Sequence, residues 1–389
     1  MHVHHVLIHS LLLHLFLPNF VLITNFFTQM EIPVIDLTPY VDPVSLEFTC
    51  DELKHTELKS VCLEVSRILK ETGALLVKDP RCSTQDNDRF IDMMEKYFEQ
   101  PEEVKRVQER PHKHYQVGST PGGVEIPRSL VDLEMQKRLR ALPKDRQPKI
   151  PTGPDLKSRY MWRVGPRPSK TRFQELNSEP VLPEGFPDWK PIMDSWGFKM
   201  ISTVEAVAEM AAIGFDLPKD SFTSLMKLGP HLLAPTGSDL GRHGEEGTVF
   251  AGYHYDINFL TIHYKSKFPG LSIWLRNGEK VEVKVPDGCL LIQAGKQLEW
   301  MTAGECKAGM HEVVVTKSTL EAVEAAKKEN RSLWRVSSTL FSNVASDAIL
   351  KPLGHFAKSP LAINYPPMYA GEYFEKELSV IKLKGSDGA

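Results

Sequence analysis

The sequence predicts an α+β protein, in which a helix-rich α/β first half precedes a run of short strands that closes into a barrel or jelly roll. Three observations carry this reading. Apolar residues recur at helical spacing over 51–72, 83–100 and 188–215. Beyond Gly229 the pattern changes to short strands at 247–264, 271–275, 280–285, 289–293, 310–316 and 333–341. Turn signals separate them: Pro269-Gly270, Asn277-Gly278 and Asp287-Gly288. Asn-Gly is the strongest, because a tight hairpin needs positive φ and these two residues tolerate it.

The elements follow in order. Residues 1–30 contain no Asp, Glu, Lys or Arg. Their apolar runs, 6–17 and 20–27, are split by Pro18-Asn19. A signal peptide would open on positive charge, and a spanning helix would want about 20 uninterrupted apolar residues. The segment reads as an extension outside the fold, or a weak membrane anchor. The fold opens with the strand 32–37. The helix over 51–72 carries Leu58, Val61, Val65, Ile68 and Leu69 on one face; Gly73 ends it, and 74–77 is a buried strand. Ser83 is placed to cap the next helix, whose inner face is Phe90, Met93, Met94 and Tyr97. These elements make an N-terminal α/β region over 31–142.

Ten prolines fall within 143–191, so neither a regular helix nor a central strand is expected there. Between Lys137 and Arg172 twelve Lys and Arg stand against Asp145 and Asp155. The favoured reading is a solvated irregular loop; the alternative is a cationic lid for an acidic substrate. Supporting helices fill 192–229, the last over 218–228. The jelly roll spans 230–352, and 353–389 is a C-terminal extension.

Composition narrows the function. The chain has 389 residues, with 47 Lys and Arg against 50 Asp and Glu, a formal charge of −3. Such a balance gives no electrostatic reason for nucleic acid or an anionic membrane as partner. Five cysteines, an odd count without C-x-x-C, argue against a disulfide scaffold or structural zinc and for a reducing, cytoplasmic setting. A monomer acting on a small molecule is expected.

The chemistry concentrates at His254-Tyr255-Asp256. On a strand, positions i and i+2 share a face about 6.5–7 Å apart, so an imidazole and a carboxylate can converge on one ion. His311, on a later strand, is a third ligand candidate. Two His and one carboxylate leave one side of an ion open, as in non-haem iron(II) oxygenases; zinc is the competing metal. Arg335-Val336-Ser337 repeats the i, i+2 spacing. Its guanidinium and hydroxyl suit a carboxylate ligand.

Taken in order, His254-Tyr255-Asp256, Leu260-Thr261-Ile262, Pro269-Gly270-Leu271, the stretch 286–295, His311-Glu312-Val313-Val314 and Arg335-Val336-Ser337 resemble the iron(II)/2-oxoglutarate-dependent dioxygenases of the isopenicillin N synthase-like, plant-type small-molecule family. The likeness runs from Glu31 to about Pro352. It implies a double-stranded β-helix with iron(II) on His254, Asp256 and His311. It also implies 2-oxoglutarate with its distal carboxylate on Arg335 and Ser337. The expected reaction hydroxylates or desaturates a small organic molecule with O2, releasing succinate and CO2, with ascorbate as a candidate further reductant.

The family's Asn-x-Tyr-Pro stretch reads Leu232-Leu233-Ala234-Pro235 here, without the tyrosine. That departure keeps a 2-oxoglutarate-independent iron oxidase as an alternative, with a non-catalytic jelly-roll binding protein as another. Between His311 and Arg335, residues 318–330 read as an inserted helix, and Arg331 is a rival anchor. His263 is expected on the wall or outer face, and His243 in a mobile loop. Strand parity sends Thr339 and Phe341 inward with Arg335 and Ser337, and puts Asn258 on the face of His254 and Asp256. Asn258, Thr339 and Phe341 are therefore the candidate substrate-pocket residues.

Overall fold

The computed structural model describes residues 32–41 and 52–384. The expectations for residues 1–30, and Cys50, lie outside them. Strand β1 (Val34–Asp36) and strand β2 (Ala74–Lys78) flank helix α1 (Glu52–Thr72). Helix α2 (Thr84–Phe98) is followed by β3 (Gly118–Thr120), α3 (Leu133–Arg140) and β4 (Ser158–Val164). The long α4 (Trp189–Gly214) leads into β5 (His231–Leu233), β6 (Thr236–Asp239), β7 (Val249–Tyr255) and β8 (Leu260–Tyr264). Next come β9 (Leu271–Trp274), β10 (Lys280–Glu282), β11 (Cys289–Ala294) and α5 (Lys296–Met301). Then follow β12 (Met310–Val314), α6 (Lys317–Lys328), β13 (Trp334–Ser342) and, further on, α7 (Ala370–Val380).

The strands form two main sheets. The larger runs β1-β2-β11-β8-β13-β5-β4-β3, with β6 pairing β13 and β4; the smaller runs β10-β9-β12-β7. Apart from β1 with β2, the pairs in both are antiparallel.

Local chemistry accounts for the helix boundaries. The Ser83 side chain accepts the Asp86 N–H and caps α2. Thr316 and Thr319 form a reciprocal capping box at the start of α6, the helix inserted between β12 and β13. Helix α4 is buried over most of its circumference, through Trp189, Met193, Trp196, Met200, Val204 and Met210, which explains an apolar pattern wider than one stripe; Ser195, Phe198 and Glu205 stay exposed. Its Trp196 indole N–H donates to Ser338 Oγ at 2.6 Å, tying it to β13. At its end, a Cβ on Gly214 would stand 2.1 Å from the Cys62 carbonyl oxygen, so only glycine lets α1 and α4 approach this closely.

Three expectations are corrected. Residues 143–191 are not all irregular: β4 fits the proline-free gap between Pro154 and Pro166 and pairs with β3, β5 and β6. On it, Arg163 is buried and donates to Asn177 Oδ1 at 3.0 Å. The helix expected over 218–228 shrinks to one turn, Thr223–Met226, because Leu228 adopts φ 64° ahead of Gly229. The strand expected over 247–264 is two strands with a turn between them. Among the described residues no helix is long and apolar enough to cross a membrane.

Candidate active site

Strands β7 and β12 build the centre. Their register sets His254 directly opposite His311, with ring centroids 4.1 Å apart. The register shifts between His311 and Val313; an irregularity of this kind bends a strand and re-aims its side chains. Asp256 follows β7 at the turn. Its two carboxylate oxygens lie 3.8 Å from His254 Nε2 and 3.8 Å from His311 Nε2. All three ligand atoms fall within 4.8 Å of one another. The 3.8 Å separations are too long for hydrogen bonds.

The protonation of this cluster fits a cation. His254 Nδ1 lies 2.6 Å from the Gly252 carbonyl oxygen, so that nitrogen carries the proton and Nε2 faces Asp256 with a lone pair. Burial pushes the His254 pKa down to about 3, with the neighbouring His311 adding to the effect. Burial likewise lowers that of His311. For Asp256 burial acts to raise the pKa, but His311, His254 and a hydrogen bond from Thr261 outweigh it and hold the carboxyl below its usual range. Two neutral imidazoles and one ionised carboxylate, buried together, are a donor set for a divalent ion, and the residues fit iron(II).

Beside the cluster lies a chamber into which Arg335, Ser337, Thr339 and Phe341 project from alternate positions of β13. Arg335 is 5% exposed, and its Nε donates to the Pro269 carbonyl at 3.1 Å. Burial alone pushes its pKa down to about 10, and among the described residues no carboxylate pairs with it. A buried cation without a counter-ion is costly, so this wall is built to receive an anion. Ser337 Oγ lies 2.6 Å from Thr339 Oγ1, which lies 2.9 Å from His263 Nδ1. His263 Nε2 in turn lies 3.0 Å from Gln293 Oε1.

His263 is thus on the inner wall, not the outer face. The turn at 256–259 resets strand parity, which an uninterrupted count from His254 cannot see. Asn258 borders the larger chamber above the centre, but its amide nitrogen is engaged: Nδ2 donates to the Leu260 carbonyl at 2.7 Å, and Oδ1 lies 3.1 Å from Thr261 Oγ1. Arg331 is remote, exposed and paired with Glu329. His243 stands on a short helical turn, Leu240–His243, apart from the centre. Ala234, where the family's tyrosine would fall, is fully buried against Met161 and Leu232.

Several residues at the site had no clear signal. Thr261 Oγ1 donates to Asp256 Oδ2 at 2.6 Å. Lys157, Arg159 and Glu125 form a buried charged group beside His254; two of them belong to the basic stretch read as a solvated loop. Helix α7, from the expected C-terminal extension, supplies Phe374, Glu377 and Leu378 to the upper chamber. No spacing rule links a residue at 374 to one at 254.

Residues 231–344 match the sequence model described as the 2OG-Fe(II) oxygenase superfamily. Over 291 residues, 73% of this chain and 69% of the other, the sequence is 26% identical to the 2-oxoglutarate-dependent dioxygenase frbJ of Dothideomycetidae sp. (strain 11243). Among solved structures, a 2OG-Fe(II) oxygenase family protein from Caulobacter crescentus is similar with a TM-score of 0.66 and 21% identity, over 90% of this chain and 99% of that one. A full-length Neurospora crassa protein in complex with alpha-KG is similar with a TM-score of 0.67 and 16% identity, over 90% and 96%. These structural likenesses establish a double-stranded β-helix core.

Proposed function

We propose, from the premise that residues 231–344 of this chain form a 2OG-Fe(II) oxygenase domain, that His254, Asp256 and His311 hold iron(II) and that Arg335 with Ser337 anchors the distal carboxylate of 2-oxoglutarate. The protein is an oxidoreductase of the 2-oxoglutarate-dependent dioxygenase class. Its substrate is a small organic molecule, hydroxylated or desaturated above the metal centre. The observation that carries this reading is the uncompensated Arg335, 5% exposed, in a chamber it shares with the three-ligand cluster. Bound together, the metal and 2-oxoglutarate supply oxidation of a C–H bond by O2, coupled to release of succinate and CO2.

The chain's own residues supply position, charge and dryness. Gly252 fixes the His254 tautomer through its carbonyl. Thr261 holds one Asp256 oxygen by hydrogen bond and thereby orients the other. Arg335 offers a planar pair of donors to a carboxylate. His263 and Thr339 hold Ser337 against the same wall. Phe341, on the shared wall of both chambers, excludes water from between them.

Anaerobic addition of iron(II) and 2-oxoglutarate should produce a visible charge-transfer band, and admission of air should produce succinate. Arg335→Gln should abolish both at ordinary 2-oxoglutarate concentrations. Absence of the band and of succinate in the parent protein refutes the proposal. Oxygen uptake indifferent to both 2-oxoglutarate and Arg335→Gln favours the 2-oxoglutarate-independent oxidase instead, the reading that Ala234 keeps open. Leaving out ascorbate in the same assay tests its part.

A further inference from the structure

The chamber above the metal centre differs in charge design from the one beside it. Its surface comes from Met161 on β4, Leu232 on β5, Phe341 on β13, and Phe374, Leu378 and Ile381 at the C-terminal end. Ions also stand on this wall, but each has a partner within the protein. Glu125 binds Lys157 at 3.0 Å and Arg159 at 2.9 Å. Asp155 pairs with Lys157 and accepts the Gly252 N–H at 2.9 Å. Arg128 and Glu377 meet at 2.5 Å, and Tyr255 O–H donates to Glu377 at 3.2 Å. The Arg128 guanidinium also lies over the Tyr255 ring, 5.1 Å from its centroid. The Asn258 amide nitrogen is engaged with the Leu260 carbonyl.

Arg335 stands in contrast to these pairs. Where the fold prepares for an anion, it leaves a buried cation unpaired. In the upper chamber every cation already has a carboxylate. A carboxylate or ammonium entering there would lose its hydration and find no free counter-ion unless it broke one of these pairs. What the wall offers freely is hydrocarbon and aromatic surface, which rewards apolar ligands in proportion to the area covered.

We infer that the organic substrate is a neutral, largely apolar molecule, gripped between β4, β5, β13 and helix α7, and that the Arg128–Glu377 pair enforces its neutrality. This rests on the metal and 2-oxoglutarate reading above and deepens it. It also answers the basic stretch at 137–172: Arg159, its member on this wall, is neutralised by Glu125, and Lys157, which lines the neighbouring chamber, by Glu125 and Asp155.

The test uses protein loaded anaerobically with iron(II) and 2-oxoglutarate and titrated calorimetrically with matched probes. These are methyl cinnamate against cinnamate, and 1-octanol against octanoate and octylammonium. The neutral member of each set should bind at least ten-fold more tightly. Glu377→Gln, which leaves Arg128 without a counter-ion, should shift the ratio at least ten-fold toward the carboxylates while 2-oxoglutarate affinity stays unchanged. Three results overturn the inference: a charged probe bound as tightly as its neutral partner, no binding of either neutral probe, or a ratio unmoved by Glu377→Gln. Failure of the charge-transfer band would strike the metal and 2-oxoglutarate reading instead, so the two failures are distinguishable. A melting curve and the Glu377→Asp variant, which keeps the pair, show whether the helix still docks.

Discussion

Replacing Thr261 with valine removes one hydroxyl and keeps the side chain's shape. In the parent protein that hydroxyl is fully buried and lies 2.6 Å from Asp256 Oδ2. It also lies 3.1 Å from Asn258 Oδ1, but a single proton serves the shorter, charge-assisted contact. A hydrogen bond to an ionised group contributes about 1.5–3 kcal/mol. At about 1.4 kcal/mol per factor of ten, its loss corresponds to roughly a 10- to 100-fold drop in metal affinity, in line with the effect of other partners that orient metal ligands. The assay is anaerobic iron(II) titration with a competing chelator, with Thr261→Ser as control. Thr261→Val should bind iron roughly 10- to 100-fold more weakly and Thr261→Ser within about three-fold of the parent. A valine variant with parental affinity, or a serine variant as impaired as the valine, would refute the idea that this hydroxyl orients Asp256.

Further outcomes are expected at other residues. Arg335→Gln should weaken 2-oxoglutarate binding by about 3 kcal/mol or more, roughly two orders of magnitude, and leave iron affinity unaltered; a change below ten-fold by calorimetry would remove Arg335 from the anchor. Iron(II) at about 100 times its dissociation constant should stabilise the fold by roughly 2.7 kcal/mol; Asp256→Ala should eliminate that gain in chemical denaturation, and persistence of the full gain would place the ion elsewhere. His231 donates from Nε2 to the Met226 carbonyl and accepts the Asn343 N–H at Nδ1. Burial pushes its pKa down to about 3, with the Arg163 charge contributing. The unfolded chain protonates near about 6.5, so this stabilisation is complete above that pH and declines as pH falls toward about 3. Between about pH 6.5 and 5 the parent should lose about 2 kcal/mol more unfolding free energy than His231→Gln; parallel pH profiles would show that His231 is not the group responsible.

What the sequence reveals here depends on the range of the physics involved. The caps, the turns at Asn277-Gly278 and Asp287-Gly288, and the inward alternation along β13 are local, and a few neighbouring residues encode them. The i, i+2 spacing of His254 and Asp256 is equally local. That His311 faces His254 depends on a strand pairing across more than fifty residues, which no window contains. Strand β4 is obscured because proline density describes a neighbourhood, while eleven proline-free residues are enough for a strand. For His263 only the wall half of the expectation holds, because parity counting assumes an unbroken strand and the turn after Tyr255 breaks it. The contribution of α7 comes entirely from tertiary packing.

Glu312, next to His311, is completely buried on the other side of the strand, where it accepts from Lys280 Nζ at 2.6 Å and from the Lys149 N–H at 3.0 Å. If β12 slipped by one position, this carboxylate would replace the imidazole at the ion, and Lys280 would be stranded. A chain mispaired in that way could still capture divalent metal, but through oxygen donors of different preference. The register that presents His311 to the ion is thus also the one that leaves Glu312 paired with Lys280.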